Sequence, residues 1–118
     1  MDTINPNQGY YQPAWQPPMG QGVGMVGKAS YYAQQYQGRP TASGEPYNMY
    51  DMTAAHRDLP FGTLLRVTNL QTGRFVIVRV NDRGPSKPGR IVDVSWAAAL
   101  ELGLVQHGSA DVQVEIVR

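Results

Sequence analysis

The sequence predicts a mainly β domain, a small barrel of short strands with one or two short helices and long loops. The first observation is a hairpin, in which the strands Thr63–Asn69 and Arg74–Val80 are joined by the turn Gln71–Gly73. Gly73 can adopt the positive φ that such a turn requires. The second observation is that both strands carry apolar residues on both faces, as the wall of a closed barrel does: Leu65 and Val67 alternate with Leu64, and Val76, Val78 and Val80 alternate with Phe75 and Ile77.

The elements before this hairpin are less regular. Lys28–Ala33 is predicted to be a first strand, with Tyr31 and Tyr32 facing opposite sides. Gln34–Tyr50 is polar and is interrupted by glycine and proline, which predicts a long loop. We expect Thr53–Pro60 to form a short turn or a helical segment.

The elements after the hairpin follow from capping residues and from alternation. Asn81–Arg90 is predicted to be a loop and Ile91–Val94 a brief strand. Ser95 is a good N-cap for a short helix over Trp96–Leu102, and Gly103 is a good residue to end it. A final strand is indicated by the alternation of Val112, Val114 and Ile116 with polar residues.

Residues 1–26 differ in composition from the rest of the chain. They contain four prolines, many Gln, Asn and Gly residues, and no Lys or Arg. Such a segment cannot bury a core, so it is predicted to be a flexible tail or linker, with residues 27–118 forming one barrel domain. Tyr10, Tyr11 and Trp15 could dock on a partner or on the domain. The segment lacks the basic start and apolar core of a signal peptide, so we expect no export signal within this chain.

Composition excludes several classes of function. The formal net charge of +1 gives no large field that would attract nucleic acid. The absence of cysteine excludes a disulfide scaffold, a thiol nucleophile and a cysteine-ligated metal. The two histidines are too few and too isolated to indicate a zinc site, so we expect neither a metal nor a cofactor. No apolar run approaches the length of a membrane span. We also expect the protein to be a monomer.

Three short motifs carry the chemistry. Thr53-Ala-Ala-His56 is followed by Asn81-Asp-Arg-Gly-Pro85 and then by Gly89-Arg-Ile-Val-Asp93. They bring one imidazole and two carboxylates into a span punctuated by glycine and proline. Groups of this kind are suited to proton transfer at a glycosidic or similar bond.

These motifs resemble the rare lipoprotein A (RlpA) family of septal lytic transglycosylases from about Gly27 to Val117. The resemblance implies a six-stranded double-psi β-barrel, the fold of barwin-like proteins, expansins and the catalytic domain of membrane-bound lytic transglycosylase A. It also implies peptidoglycan glycan strands without stem peptides as ligand, and a bacterial envelope location, periplasmic or at the outer membrane. Further matching segments are Gly27-Lys-Ala-Ser-Tyr-Tyr32, Gly38-Arg-Pro-Thr-Ala-Ser-Gly-Glu45, Leu59-Pro-Phe-Gly62 and Val67-Thr-Asn-Leu70.

The resemblance implies catalytic roles for four residues. Such an enzyme cleaves the bond between N-acetylmuramic acid and N-acetylglucosamine without water, and the sugar's own C6 hydroxyl closes a 1,6-anhydro ring. Asp82 is the expected acid, because its motif is the family's signature. Asp93 is the rival, since expansins and membrane-bound lytic transglycosylase A use an Asp at a similar place. His56 is expected to orient a carboxylate or hold the substrate, and Glu45 to line the cleft and polarise a hydroxyl.

Four further residues are expected to contact the substrate: Tyr47, Asn48, Asn81 and Arg83. One of them departs from the family pattern, in which the Glu is usually followed by Tyr or Phe and then by Asp. Here Glu45-Pro46-Tyr47 is followed by Asn48. An Asn side chain can form hydrogen bonds but cannot exchange a proton usefully.

Each catalytic candidate also has a structural interpretation. Asp82 could have a structural role alone, in which it stabilises a turn by bonding to its own backbone. His56 could cap the segment that it ends or bond a backbone carbonyl, and Glu45 could be a solvated loop residue. Asp93 could tie a neighbouring arginine or cap the following helix.

Two other functions remain open at this stage. One is an expansin-like module that binds glycan without turnover. The other is a structural or partner-binding role in the cell envelope, with the aromatic N-terminal segment as the contact.

Overall fold

The computed structural model describes residues 25–118. The predicted flexible tail, with Tyr10, Tyr11 and Trp15, lies outside the described residues except for its last two positions. Those two positions belong to the first strand, which begins at Met25.

The described chain forms six strands and two short helices, as the sequence predicts. The strands are β1 Met25–Tyr31, β2 Thr53–Ala55, β3 Leu64–Asn69, β4 Phe75–Asp82, β5 Arg90–Val94 and β6 Ala110–Ile116. The helices are α1, Trp96–Leu102, and a single 3-10 turn, η1, Gln34–Tyr36. No helix within residues 25–118 is long and apolar enough to cross a membrane.

The six strands close into a barrel in the order β1-β5-β2-β4-β3-β6, with β6 returning to pair with β1. Two of the pairs, β1 with β5 and β2 with β4, are parallel, and the other four are antiparallel. Closure leaves no strand edge unpaired. The predicted closed six-stranded barrel is confirmed.

The barrel interior is filled by the alternating residues that the sequence indicated. The inward-facing valines of β3, β4, β5 and β6, together with Leu65, are fully or almost fully buried, while their neighbours face outward. One face of α1 packs on the same core. The buried set includes Leu65, Val67, Val76, Val78, Val80, Val92, Val94, Val112 and Val114, with Ala98, Ala99 and Leu102 from the helix.

The capping signals around α1 are confirmed. Ser95 Oγ accepts a hydrogen bond from the Ala98 amide at 3.2 Å. Gly103 ends the helix in the left-handed conformation with φ 77°, where its amide meets the carbonyls of Ala99 and Leu100. A residue with a Cβ adopts this conformation at a cost, so glycine is favoured here.

Three local predictions were wrong. Thr53–Ala55 is a strand rather than a turn or helical segment, because β4 and β5 supply hydrogen-bond partners on its two sides. β4 continues through Asp82, so this residue ends a strand rather than lying inside a loop. The first strand is Met25–Tyr31 rather than Lys28–Ala33, since its register is set by pairing with β6.

Candidate functional site

The segment before β2 folds into a compact loop over residues 40–46, here called the 40–46 loop. A bridge between Pro40 and Pro46 closes it. Inside it, the Thr41 amide donates to the Glu45 carbonyl at 2.9 Å, and the Gly44 amide donates to the Thr41 carbonyl at 2.9 Å. The loop is therefore ordered by its own hydrogen bonds and can present backbone groups to β4.

Glu45 anchors the 40–46 loop to β4. Its two carboxylate oxygens each accept a hydrogen bond at 2.9 Å from the guanidinium of Arg79, and Asn81 Nδ2 donates to Oε1 at 3.0 Å. These bonds, those from Arg79 above all, lower the pKa of Glu45 to about 2. Glu45 is therefore ionised at neutral pH and holds a fixed negative charge.

Asp82 ends β4 with its two carboxylate oxygens in different surroundings. Oδ1 accepts backbone hydrogen bonds from Ala42, in the 40–46 loop, and from Arg83, each at 2.8 Å. Oδ2 accepts a hydrogen bond from the hydroxyl of Tyr32 at 2.5 Å. The side chain is thus held on one oxygen by the backbone and on the other by a phenol.

Tyr32 is fixed by aromatic neighbours on two sides. Its ring stacks on Tyr47 at a centroid distance of 4.8 Å, and it meets the edge of Tyr36 at 6.3 Å. Burial raises the pKa of Tyr32 strongly, and the hydrogen bond to Asp82 and the nearby charges of Asp82 and Asp93 add to this rise. The hydroxyl therefore remains a proton donor at working pH.

Asp93 lies on β5 beside the same tyrosines. Its Oδ1 accepts a hydrogen bond from Ser30 Oγ on β1. With Tyr31, Tyr32 and Tyr36 it lines a cavity of about 340 Å³. Asp93 thus bonds to Ser30, its partner on the neighbouring strand β1. The helix cap Ser95 instead uses its Oγ to bond the Asp51 carbonyl and the Ala98 amide.

His56 lies next to Asp82 through its backbone, and its amide donates to the Asp82 carbonyl at 3.2 Å. Its imidazole Nδ1 accepts the amides of Asp58 at 3.1 Å and Leu59 at 3.2 Å. Burial lowers the pKa of His56, so the ring is neutral near pH 7. The ring thus caps the turn that follows His56 rather than the segment that His56 ends, and with Nδ1 occupied as an acceptor the ring proton lies on Nε2.

Arg83 ties the end of β4 to the turn after His56. Its Nη1 donates to the carbonyl of His56 at 3.2 Å and to that of Leu59 at 2.8 Å. The guanidinium also lies 4.1 Å from the centroid of the Phe61 ring. Arg83 thus braces this edge of the site.

Tyr47, Asn48 and Asn81 make mainly internal contacts. Tyr47 is only 3% exposed, and its hydroxyl accepts the Trp96 amide at 3.0 Å. Asn48 Oδ1 accepts the Tyr50 amide at 3.0 Å and so stabilises a turn. Asn81 is buried and holds Glu45. Substrate contact by these residues stays a prediction, as it does for Arg83.

Comparison with known proteins shows the family of the chain. Residues 24–114 match the family model described as lytic transglycolase. The chain belongs to this family.

The curated relatives of this lytic transglycolase domain are longer proteins. It is 50% identical over 91 residues to the endolytic peptidoglycan transglycosylase RlpA of Vibrio cholerae, a match that covers 77% of this chain and 35% of that protein. It is 54% identical over 91 residues to the RlpA of Pseudomonas aeruginosa, covering 77% of this chain and 27% of that protein. The chain thus spans about a third or less of these relatives, and the predicted resemblance to the RlpA family is confirmed.

Solved structures confirm the barwin- and expansin-like fold class of the domain. The Streptomyces papain inhibitor is similar with a TM-score of 0.65 and 26% identity, covering 87% of this chain and 100% of that chain. An expansin of Clavibacter michiganensis is similar with a TM-score of 0.63 and 26% identity, covering 80% of this chain and 50% of that chain.

Three residues of the candidate site are not identified by the sequence. The sequence predicts only a strand position for Tyr32, and it predicts no site role for Arg79 or Ser30. The available signal was weak: Tyr32 follows a second tyrosine at the end of a strand, and Arg79 interrupts a run of apolar residues. Only the folded structure shows which carboxylate each one meets, because the two residues of each pair lie far apart in sequence.

Proposed function

We propose that this domain is an endolytic peptidoglycan transglycosylase. It cleaves the glycosidic bond from N-acetylmuramic acid to N-acetylglucosamine in glycan strands without stem peptides, and leaves a 1,6-anhydro end. The observation that carries the proposal is the asymmetric environment of Asp82, whose Oδ2 contacts Tyr32, a residue that lines the aromatic cavity. The names of the relatives support the same reaction.

The different surroundings of the two Asp82 oxygens determine which of them can carry a transferable proton. Oδ1 accepts two backbone N–H groups, which occupy both of its lone pairs. A proton on Asp82 must therefore be on Oδ2, the oxygen that Tyr32 contacts. A side chain held in one orientation with one available oxygen is suited to act as acid and then as base.

The proposed reaction uses Asp82 twice. Asp82 Oδ2–H protonates the glycosidic oxygen, and the bond between that oxygen and C1 of the muramic acid breaks. The resulting carboxylate takes the proton from the C6 hydroxyl of the same sugar while O6 bonds to C1. The proton count balances without water, and Asp82 is ready for another cycle.

The remaining candidates have supporting roles in this proposal. Tyr36, which is 37% exposed, offers a ring face for a sugar in the cavity. Asp93, the rival candidate for the acid, lines this cavity. Its negative charge would favour the cationic character that develops at C1. Nε2–H of His56 is a donor for the substrate, whereas ionised Glu45 holds the 40–46 loop on Asp82.

The setting of the domain is also proposed. Its substrate assigns it to the bacterial cell envelope, in the periplasm or at the outer membrane. We propose that the barrel domain, whose first strand begins at Met25, acts as a monomer with glycan strands as the partner.

Product analysis tests this function. The chain is incubated with peptide-free glycan strands, and the products are examined by mass spectrometry. Anhydro-muramic ends support the proposal, whereas reducing ends indicate a hydrolase. Asp82→Asn is the inactive control, and Asp111→Asn, which changes an exposed carboxylate paired with Lys28, is the active one.

The second candidate is an expansin-like module that binds glycan without turnover. The similarity to the Clavibacter expansin and the tyrosine-lined cavity favour it. Intact strands that co-sediment with the protein would support this function and exclude the first.

A further inference from the structure

The hydroxyl of Tyr32 has a distinct place in the site. Among the hydrogen bonds of residues 25–118, it is the one side-chain donor to Asp82, and it meets Oδ2 rather than the backbone-bound Oδ1. The two residues lie 50 positions apart, Tyr32 directly after β1 and Asp82 at the end of β4. Strand pairing alone does not require this contact, since β1 pairs with β5 and β6.

The ring of Tyr32 is held so that the hydroxyl has little freedom. Tyr47 lies beneath it at an interplanar angle of 24°, and Tyr47 is itself fixed by the backbone amide of Trp96. Tyr36 packs against it nearly at a right angle, with an interplanar angle of 83°. A phenol fixed in this way loses little rotational entropy when it bonds to Asp82.

We propose that Tyr32 is a positioning residue for Asp82. Its hydroxyl aims Oδ2 of Asp82 at the cavity and stabilises the carboxylate left after proton donation. This inference rests on the proposed function. A charge-assisted hydrogen bond from a phenol is stronger to the ionised carboxylate than to the acid. Tyr32 therefore acts on the protonation equilibrium of Asp82 as well as on its orientation.

Within residues 25–118, the charged and titratable groups that face Tyr32 come from four parts of the chain. They are Asp82 on β4, Asp93 on β5, Tyr47 in the loop before β2 and Tyr36 in η1. The Asp93 charge acts on Tyr32 through space, whereas Asp82 acts through a hydrogen bond as well. A substitution at Tyr32 should therefore affect Asp82 more than Asp93.

The test is Tyr32→Phe, which retains the stacked ring and removes only the hydroxyl. On peptide-free glycan we expect kcat to fall about tenfold with KM nearly unchanged, and the alkaline limb of the pH profile to move up by about one pH unit. The rate should fall because Oδ2 is no longer held in one orientation, and the limb should move because the carboxylate loses a charge-assisted hydrogen bond. Incorporation of 3-fluorotyrosine at position 32, a stronger donor, should move the limb the other way.

The control is Tyr50→Phe, whose side chain is 73% exposed and is not among the residues that line the cavity. It should leave the pH profile in place. A Tyr32→Phe profile that coincides with that of the wild type would overturn the inference, even if the rate falls.

A second measurement does not depend on turnover. The side-chain carboxyl carbon of Asp82 is followed by NMR against pH in both forms and in the 3-fluorotyrosine form. A higher transition pH in Tyr32→Phe, or a lower one in the fluorinated protein, supports the inference, and superimposable curves overturn it. If wild type leaves strands intact, the transglycosylase proposal fails while these curves still decide the role of Tyr32.

Discussion

Glu45 and Arg79 form a two-point ion pair in which each carboxylate oxygen lies 2.9 Å from one guanidinium nitrogen. This pair joins the 40–46 loop to β4, three residues before Asp82. Because the same loop supplies the Ala42 amide that holds Asp82 Oδ1, the pair fixes the candidate acid indirectly.

Glu45→Gln should make the fold less sensitive to acid. The folded-state pKa of Glu45, about 2, lies below its ordinary value of 4.5. Its contribution to stability is thus present above pH 4.5 and is lost as pH falls towards 2. Urea unfolding should show a loss of about 0.5–1 kcal/mol at pH 7 for the variant, because a partly exposed pair is screened. The difference should vanish near pH 2, and Glu101→Gln on the exposed face of α1 should show no such convergence.

Arg79→Lys should loosen the loop without unfolding the barrel. A lysine ammonium can reach one carboxylate oxygen but cannot make the planar two-point contact. We expect faster hydrogen exchange at the Ala42 amide and slower glycan cleavage. Arg66→Lys, an outward position on the neighbouring strand β3, is the control. Unchanged exchange at Ala42 in Arg79→Lys would contradict the anchoring role of the pair.

His56→Ala should lower the free energy of unfolding by about 1–3 kcal/mol, since two amides lose their shared acceptor. The pKa of His56 is lowered by burial, so its contribution is present above the unfolded value of about 6.5 and declines as pH falls below it. The stability difference between wild type and His56→Ala should therefore be larger at pH 8 than at pH 5. Urea titrations at both pH values measure it, and exposed His107→Ala serves as control. A difference independent of pH would argue against the neutral, capping imidazole.

Asp82→Asn should abolish strand cleavage while leaving the thermal midpoint nearly unchanged. The amide oxygen can accept the same two backbone N–H groups as Oδ1, so the end of β4 keeps its shape. The amide cannot donate and recover a proton as a carboxyl does. Mass spectrometry of the glycan measures cleavage, and a melting curve measures the thermal midpoint. Retained turnover would transfer the acid role to Asp93.

Asn48→Asp should raise the cleavage rate and leave the turn intact. An aspartate accepts the Tyr50 amide at least as well as the asparagine does, and it restores the residue usual in the family. Its negative charge should move the pH optimum upward if a catalytic carboxyl lies within roughly 4–6 Å. Initial rates across pH on peptide-free glycan give the answer, with Asn48→Ala reporting the cost of losing the turn acceptor. Identical profiles for the wild type and the Asn48→Asp variant would mean that the family's aspartate has no counterpart role here.

The sequence by itself determined the elements whose signals are local. Alternation placed β3, β4 and β6, and Ser95 and Gly103 set both ends of α1. The motifs also singled out Asp82, His56 and Glu45, which the fold brings together around the end of β4. These signals are readable because strand and helix periodicity and capping act within a few residues.

Only the tertiary structure decided the state of β2 and the partners of the carboxylates. Three residues, Thr53–Ala55, are too few to show a period, and they are a strand only because β4 and β5 lie on both sides. Asp82 meets Tyr32, and Glu45 meets Arg79, across 50 and 34 positions of sequence. Such pairs depend on barrel closure and parallel strand order, since no local periodicity relates residues that far apart. That closure makes Glu45 an ionised anchor, His56 a capping residue and Tyr32 the neighbour of Asp82.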